Sequence, residues 1–145
     1  MRRLLFRAAT VLSLTGLTAI VGCSGDQEVD LMPVHPVVGV LTYQGDPMSR
    51  AVIIYHPESK SVVGGTVTAR GVADENGRYQ LTSFTKDDGA PAGNYKVTIY
   101  WPEPGPEEAD PLPPDRLKGV YAKEKTPKLD AEVSEGENTI DFKLP

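Results

Sequence analysis

From Asn94 to Trp101 the side chains alternate without a break: Tyr95, Val97, Ile99 and Trp101 on one side, Asn94, Lys96, Thr98 and Tyr100 on the other. A period of two is the signature of a β-strand, whose successive side chains point to opposite faces of a sheet. The same period recurs at Val37–Tyr43, Ala51–His56, Tyr79–Leu81, Leu129–Ser134 and Ile140–Leu144, with a short strand predicted near Ala69–Ala73. Each run ends in turn chemistry such as Gln44-Gly45-Asp46-Pro47, Asp87-Asp88-Gly89 or Glu135-Gly136-Glu137-Asn138. Beyond the N-terminal segment there is no convincing helical period, so the chain is predicted to be all-β. The first two strands are apolar on both faces, which suits central strands, or strands whose outer face a loop partly covers.

A chain of 145 residues is about one domain's worth. Its 14 glycines and 13 prolines are concentrated between the apolar runs, as a turn-rich β-protein requires. With a formal charge of −5 it lacks the basic stripe that phosphate-backbone binding depends on, so nucleic acid is not expected as a partner.

The N-terminus has its own character. Arg2, Arg3 and Arg7 precede an apolar run from Ala8 to Val21, too short for a membrane span and followed by Gly22-Cys23-Ser24. Ile20-Val21-Gly22-Cys23 resembles the bacterial lipobox, in which cleavage falls between Gly22 and Cys23 and the cysteine is acylated. A single cysteine in an exported chain has no disulfide partner within it, which lipidation explains. Residues 1–22 read as a lipoprotein signal peptide, residues 23–36 as a polar, Pro-punctuated tether, and residues 37–145 as the folded domain. Loss of residues 1–22 removes three arginines and moves the formal charge from −5 to −8. Several acyl chains on Cys23 give stable anchoring where one gives only reversible binding. Ser24 follows the cysteine where aspartate would signal inner-membrane retention, which points to the outer membrane, with the domain in the periplasm or at the cell surface.

Residues 102–127 depart from the pattern. Seven prolines, with Glu103, Glu107, Glu108 and Asp110 among them, make central strands untenable. Two readings stay open: a partner-binding loop that begins at Trp101, or an extended crossover between two sheets, pinned where Leu117, Val120, Tyr121 and Leu129 reach the core.

Taken together, Val37–Pro47, Ala51–Pro57, Ala73–Leu81, Ala92–Thr98, Tyr121-Ala122, Thr126-Pro127 and Glu135–Asn138 resemble, in order and spacing, the transthyretin-like (prealbumin-like) domain of the carboxypeptidase regulatory-like family. The resemblance covers about residues 35–145. It implies a seven-stranded Greek-key β-sandwich, found in many short bacterial surface lipoproteins, that serves mostly as a non-catalytic module. The enzymatic branch of that fold hydrolyses hydroxyisourate and ends in Tyr-Arg-Gly-Ser, whereas this chain ends Phe142-Lys143-Leu144-Pro145.

No enzyme activity and no cofactor are therefore expected. Asp74, Glu75 and Asn76 are weak candidates for a calcium site, but the downstream glutamate of an acidic calcium loop is missing and a hairpin turn accounts for the same residues. His35 and His56, the two histidines, are too few for zinc. No Gly-x-Ser-x-Gly elbow occurs. Trp101, Tyr100 and Tyr55 could form a sugar platform, although alternation assigns Trp101 and Tyr55 to the core. The leading expectation is a structural or protein-interaction module of the cell envelope, held at the membrane through Cys23, with an envelope protein or glycan as partner. A carbohydrate- or calcium-binding module is the alternative, and a transthyretin-like hydrolase the remote one.

Overall fold

The computed structural model describes residues 32–59, 66–105, 111–126 and 128–145. Gly22, Cys23, Glu107, Glu108 and Asp110 lie outside the described residues. Among those described, the secondary structure is entirely β, in eleven segments: β1 (Val34–His35), β2 (Val37–Tyr43), β3 (Asp46–Pro47), β4 (Val52–Pro57), β5 (Ala69–Val72), β6 (Arg78–Gln80), β7 (Ala90–Pro91), β8 (Gly93–Tyr100), β9 (Leu129–Val133), β10 (Asn138–Thr139) and β11 (Phe142–Leu144). The longer strands lie within a residue or two of the alternating runs. Ordered pairing starts before Val37, because Val34 and His35 pair with Pro91 and Ala90.

Two sheets face each other. One has the order β5-β4-β8-β9, antiparallel throughout. The other is centred on β2, with β6 and β3 antiparallel on one side and β10 and β11 parallel on the other. The inward set of each strand fills the space between them: Val37 and Leu41 from β2, Ile53 and Tyr55 from β4, Val97 and Ile99 from β8, Phe142 and Leu144 from β11. Burying each aliphatic side chain of this kind contributes about 1.5–3 kcal/mol.

A hydrogen-bonded chain crosses this apolar core. The Tyr79 hydroxyl donates to the Ile140 carbonyl at 2.6 Å, and the Tyr55 hydroxyl lies 2.9 Å from that of Tyr79. With the Tyr79 proton engaged by Ile140, Tyr55 is the donor to Tyr79, so a phenol from each sheet meets mid-core. The geometry depends on a glycine. Gly39 pairs directly with Tyr79, and a Cβ on it would lie 1.8 Å from the Ile140 oxygen and 2.8 Å from the Tyr79 ring.

The last strand is rearranged to supply that carbonyl. β10 and β11 pair with β2 in one continuous register, but Ile140 and Asp141 between them leave the ladder. Ile140 keeps its amide bond to Val38 (2.8 Å) while its carbonyl turns inward to Tyr79. The Val40 amide takes the Asp141 carboxylate instead, at 2.9 Å. A side chain thus substitutes for the main-chain acceptor the ladder has lost, as buried or paired backbone groups require.

The Pro-rich segment corrects one expectation. It is not a crossover between sheets but a long connection between β8 and β9, neighbours in one sheet. Its return leg covers the edge of β8 beyond the end of β9: Glu103 N–H donates to Pro114, Arg116 N–H to Trp101, and Ile99 N–H to Tyr121. Leu117 is buried and Tyr121 and Leu129 pack on the core, whereas Val120 is 39% exposed. The Asp115 carboxylate fixes this leg by accepting from the amides of Trp101 (3.0 Å), Leu117 (3.1 Å) and Gly119 (2.8 Å). The step between sheets falls instead at the Ser134–Glu137 turn, where the Asn138 side chain both accepts from and donates to the Ser134 backbone at 2.9 Å.

Replacing Tyr79 with Phe leaves the Ile140 carbonyl and the Tyr55 hydroxyl without their partner. It is expected to cost about 1–3 kcal/mol in urea unfolding, more than Tyr→Phe at an exposed site. A second expectation concerns alkali. Burial pushes the Tyr55 and Tyr95 phenols from 10.0 up to about 12, and burial together with the neighbouring Tyr55 raises Tyr79 as well. Because the folded values exceed the unfolded one, this contribution is complete below about pH 10 and is lost as pH rises through about 12. Thermal melts across that window should fall steeply, and less steeply once Tyr79 is Phe.

Candidate functional site

Alternation puts half of each strand outside, and on β2 that half begins with two valines. Val38 and Val40 point outward, with Val38 39% exposed. Their cross-strand partners on β6 are Gln80 and Arg78. Next to these come Arg70 and Val72 of β5, Val72 being 53% exposed. Since β5 and β6 belong to different sheets, they are stitched at the two ends of their run. The Arg70–Thr82 bridge (2.9 and 2.8 Å) holds one end and the bond from Asp74 N–H to Arg78 O (2.8 Å) the other. Between the stitches the surface folds inward into a groove of about 850 Å³. Its floor is valine and strand backbone. Lys86, Asp87 and Asp141 complete the rim.

The Asp74–Gly77 turn closes one end of the groove. Asn76 and Gly77 both tolerate positive φ, the mark of a hairpin turn; Gly77 alone adopts it, at 74°. Its N–H donates to Asp74 O at 3.0 Å, its carbonyl accepts from Leu41 N–H at 2.8 Å, and a Cβ on it would come within 2.5 Å of the Leu41 oxygen. The Asp74 carboxylate accepts from the amides of Asn76 (2.8 Å) and Arg78 (2.9 Å), the local bonding that makes Asp a turn former. One oxygen of the calcium candidate is thus turned to the backbone, and Glu75 and Asn76 are exposed. Among the described residues, no group of three or more His, Cys, Asp or Glu side chains gathers as metal ligands would.

Of the residues assigned to a partner loop, Trp101 and Glu103 fall within the described residues. Trp101 is 5% exposed, with the Arg116 guanidinium 3.6 Å above its ring centre, Tyr43 edge-on at 5.9 Å, and its indole N–H donating to Ser49 O at 2.9 Å. Glu103 is exposed nearby on the outgoing leg.

The sequence does not reveal a second polar cluster. On the outer face of the other sheet, His56 Nε2 lies 2.9 Å from Thr98 Oγ1, and His56 Nδ1 lies 3.7 Å from a Glu124 carboxylate oxygen. The order hydroxyl, imidazole, carboxylate is that of an activated nucleophile. Thr98, however, is 6% exposed with its hydroxyl engaged by the imidazole, while the Glu124 side chain is largely in solvent. Its signal lay in strand register, which sets Ile54 opposite Thr98 and His56 opposite Lys96. His35 is likewise structural: its Nδ1 accepts from Gly136 N–H at 3.1 Å, which fixes the proton of the neutral ring on Nε2.

Beside the groove, Asp88 organises the loop that carries Lys86. Its carboxylate accepts from the amides of Ser83 (2.7 Å), Phe84 (2.9 Å) and Thr85 (2.8 Å). Partial burial opposes its ionisation, but these amide bonds outweigh burial and hold its carboxyl below 3.8. Compared with models of known protein families, with curated proteins and with solved structures, the chain matches none.

The Asp88 contribution has a defined sign. Its folded value is depressed, so the stability is present above the unfolded carboxylate value and lost as pH falls through the folded one. Asp88→Asn should lower stability by about 1–3 kcal/mol near neutrality and flatten the acid limb of a melting curve taken between about pH 7 and about pH 2.

Proposed function

We propose that the chain is a lipid-anchored, non-catalytic β-sandwich module of the bacterial cell envelope, with a structural or protein-interaction role. The reading takes residues 1–22 as a signal peptide, Cys23 as the acylated N-terminus of the mature chain, and the domain as a transthyretin-like Greek-key sandwich. Seven strands result when β10 and β11, which share one register on β2, count as one and the two-residue segments β1, β3 and β7 are set aside.

One observation carries the functional half. The carboxylates of Asp74, Asp88, Asp115 and Asp141 all accept from backbone amides and so serve the fold. The groove's Arg70, Arg78, Lys86 and Asp87, by contrast, extend into solvent. That division favours a surface for recognition over a centre for bond-making.

Fractionating cells that express the native chain and Cys23→Ser tests the anchor. The native chain should sediment with membranes and the variant should appear in the soluble fraction. A variant that stays with the membranes overturns the anchor.

A further inference from the structure

We infer that Asn76 is a site of spontaneous deamidation that its own turn holds closed: conversion proceeds through local opening and then leaves the turn unable to re-form as it was. This goes beyond the recognition role above and depends on neither the anchor nor the groove.

The reaction needs no partner but water. The Gly77 amide nitrogen attacks Cγ of the Asn76 side chain. The new N–Cγ bond closes a five-membered succinimide, the Cγ–Nδ2 bond breaks, and the amide proton passes through water to the departing nitrogen, which leaves as ammonia. Water then adds to either ring carbonyl and opens the ring, to aspartate or to isoaspartate.

The chain has three asparagines, and Asn76 differs from the other two. It is exposed, and its side-chain amide has no hydrogen-bond partner among the described residues. The residue that follows is glycine, with no Cβ to obstruct the attack. Asn94 instead precedes Tyr95 within β8, where ladders on both sides hold the backbone extended. Asn138 precedes the β-branched Thr139, and its carboxamide is engaged by Ser134, Gly136 and Pro36.

The native turn withholds the nucleophile. Gly77 is buried although Asn76 is not. Its N–H is committed to Asp74 O at 3.0 Å and its carbonyl to Leu41 N–H at 2.8 Å. The Asp74 carboxylate accepts from the amides of Asn76 (2.8 Å) and Arg78 (2.9 Å), which sets a negative charge beside the nitrogen that must lose its proton. Turning that nitrogen onto Cγ breaks its bond to Asp74, so ring closure waits for local opening and its rate follows the open fraction.

The structural effect runs one way. Isoaspartate routes the main chain through Cγ, which lengthens the link between residues 76 and 77 by one carbon and adds a free carboxylate beside Asp74 and Glu75. The bonds from Asp74 to Gly77 (3.0 Å) and to Arg78 (2.9 and 2.8 Å) span that link and cannot all persist. They form one of the two stitches between β5 and β6, so the aged chain is looser at that end of the sheet junction.

The test keeps the full-length chain in a non-ionic detergent at neutral pH and body temperature, once folded and once in guanidinium chloride. Peptide mapping reads the one-dalton gain, and isoaspartyl methyltransferase labelling reads isoaspartate. In denaturant, conversion is expected at Asn76 ahead of Asn94 and Asn138. In the folded chain it should be at least about tenfold slower, the factor that an opening cost of about 1.4 kcal/mol imposes. Asp74→Ala should raise the folded rate in step with hydrogen exchange at the Gly77 amide, and Asn76→Gln should remove the signal. Where Asp74→Ala fails to fold, guanidinium below the unfolding transition takes its place, and conversion and Gly77 exchange should rise together. The isolated isoaspartate form should melt below the native chain. Folded conversion as fast as in denaturant, or indifferent to Gly77 exchange, overturns the gate. Conversion led by Asn94 or Asn138, or none, overturns the site, and an isoaspartate form that melts with the native chain overturns the structural consequence.

Discussion

The two sheets are tied through the hydroxyl of Tyr79. It takes a hydrogen bond from Tyr55 of the facing sheet and donates its own proton to Ile140. In a low-dielectric core an unpaired phenol or carbonyl is costly, so each of the three groups depends on the other two. The requirements spread outward. Gly39 must lack a side chain, Ile140 must leave its ladder, and Asp141 must supply the acceptor that Val40 then needs. The break between β10 and β11 and the position of one rim carboxylate accompany that single buried contact.

A shared logic governs the acidic residues. Asp74, Asp88 and Asp115 sit at chain reversals, where backbone N–H groups have no strand partner. A carboxylate beside such a cluster satisfies two or three amides at once through charge-assisted bonds. In this turn-rich chain much of the acidity therefore has a conformational purpose. The basic residues of the groove have no comparable internal role, and their placement is what sets that face apart.

The groove itself results from strand assignment. Because β5 pairs with β4 and β6 with β2, the chain changes sheet at Asp74–Gly77. Between their stitches the two strands stay close, since a Cβ on Gly71 would lie 2.7 Å from the Gln80 oxygen, and the concave surface lies across their outer face.

Much of the strand plan was legible in the sequence, because a period of two and Gly, Pro, Asn and Asp punctuation are local properties of the chain. That Tyr95, Val97, Ile99 and Trp101 face inward follows from alternation alone. The N-terminal lipobox-like segment is likewise a matter of local chemistry, readable without a fold. Which strands become neighbours is another matter, since pairing partners lie far apart in sequence and alternation does not name them. The sequence therefore left open whether the Pro-rich stretch crosses between sheets or forms a partner loop, where register makes it the covering edge of β8. It likewise pointed to Trp101 and the acidic loop as a contact surface and left Val38, Arg70, Val72 and Arg78 unremarked. Each of those four is an ordinary outward residue on its own strand. Only the tertiary structure decides that three strands from two sheets bring them to one groove, because that depends on long-range pairing and twist, which no local pattern encodes.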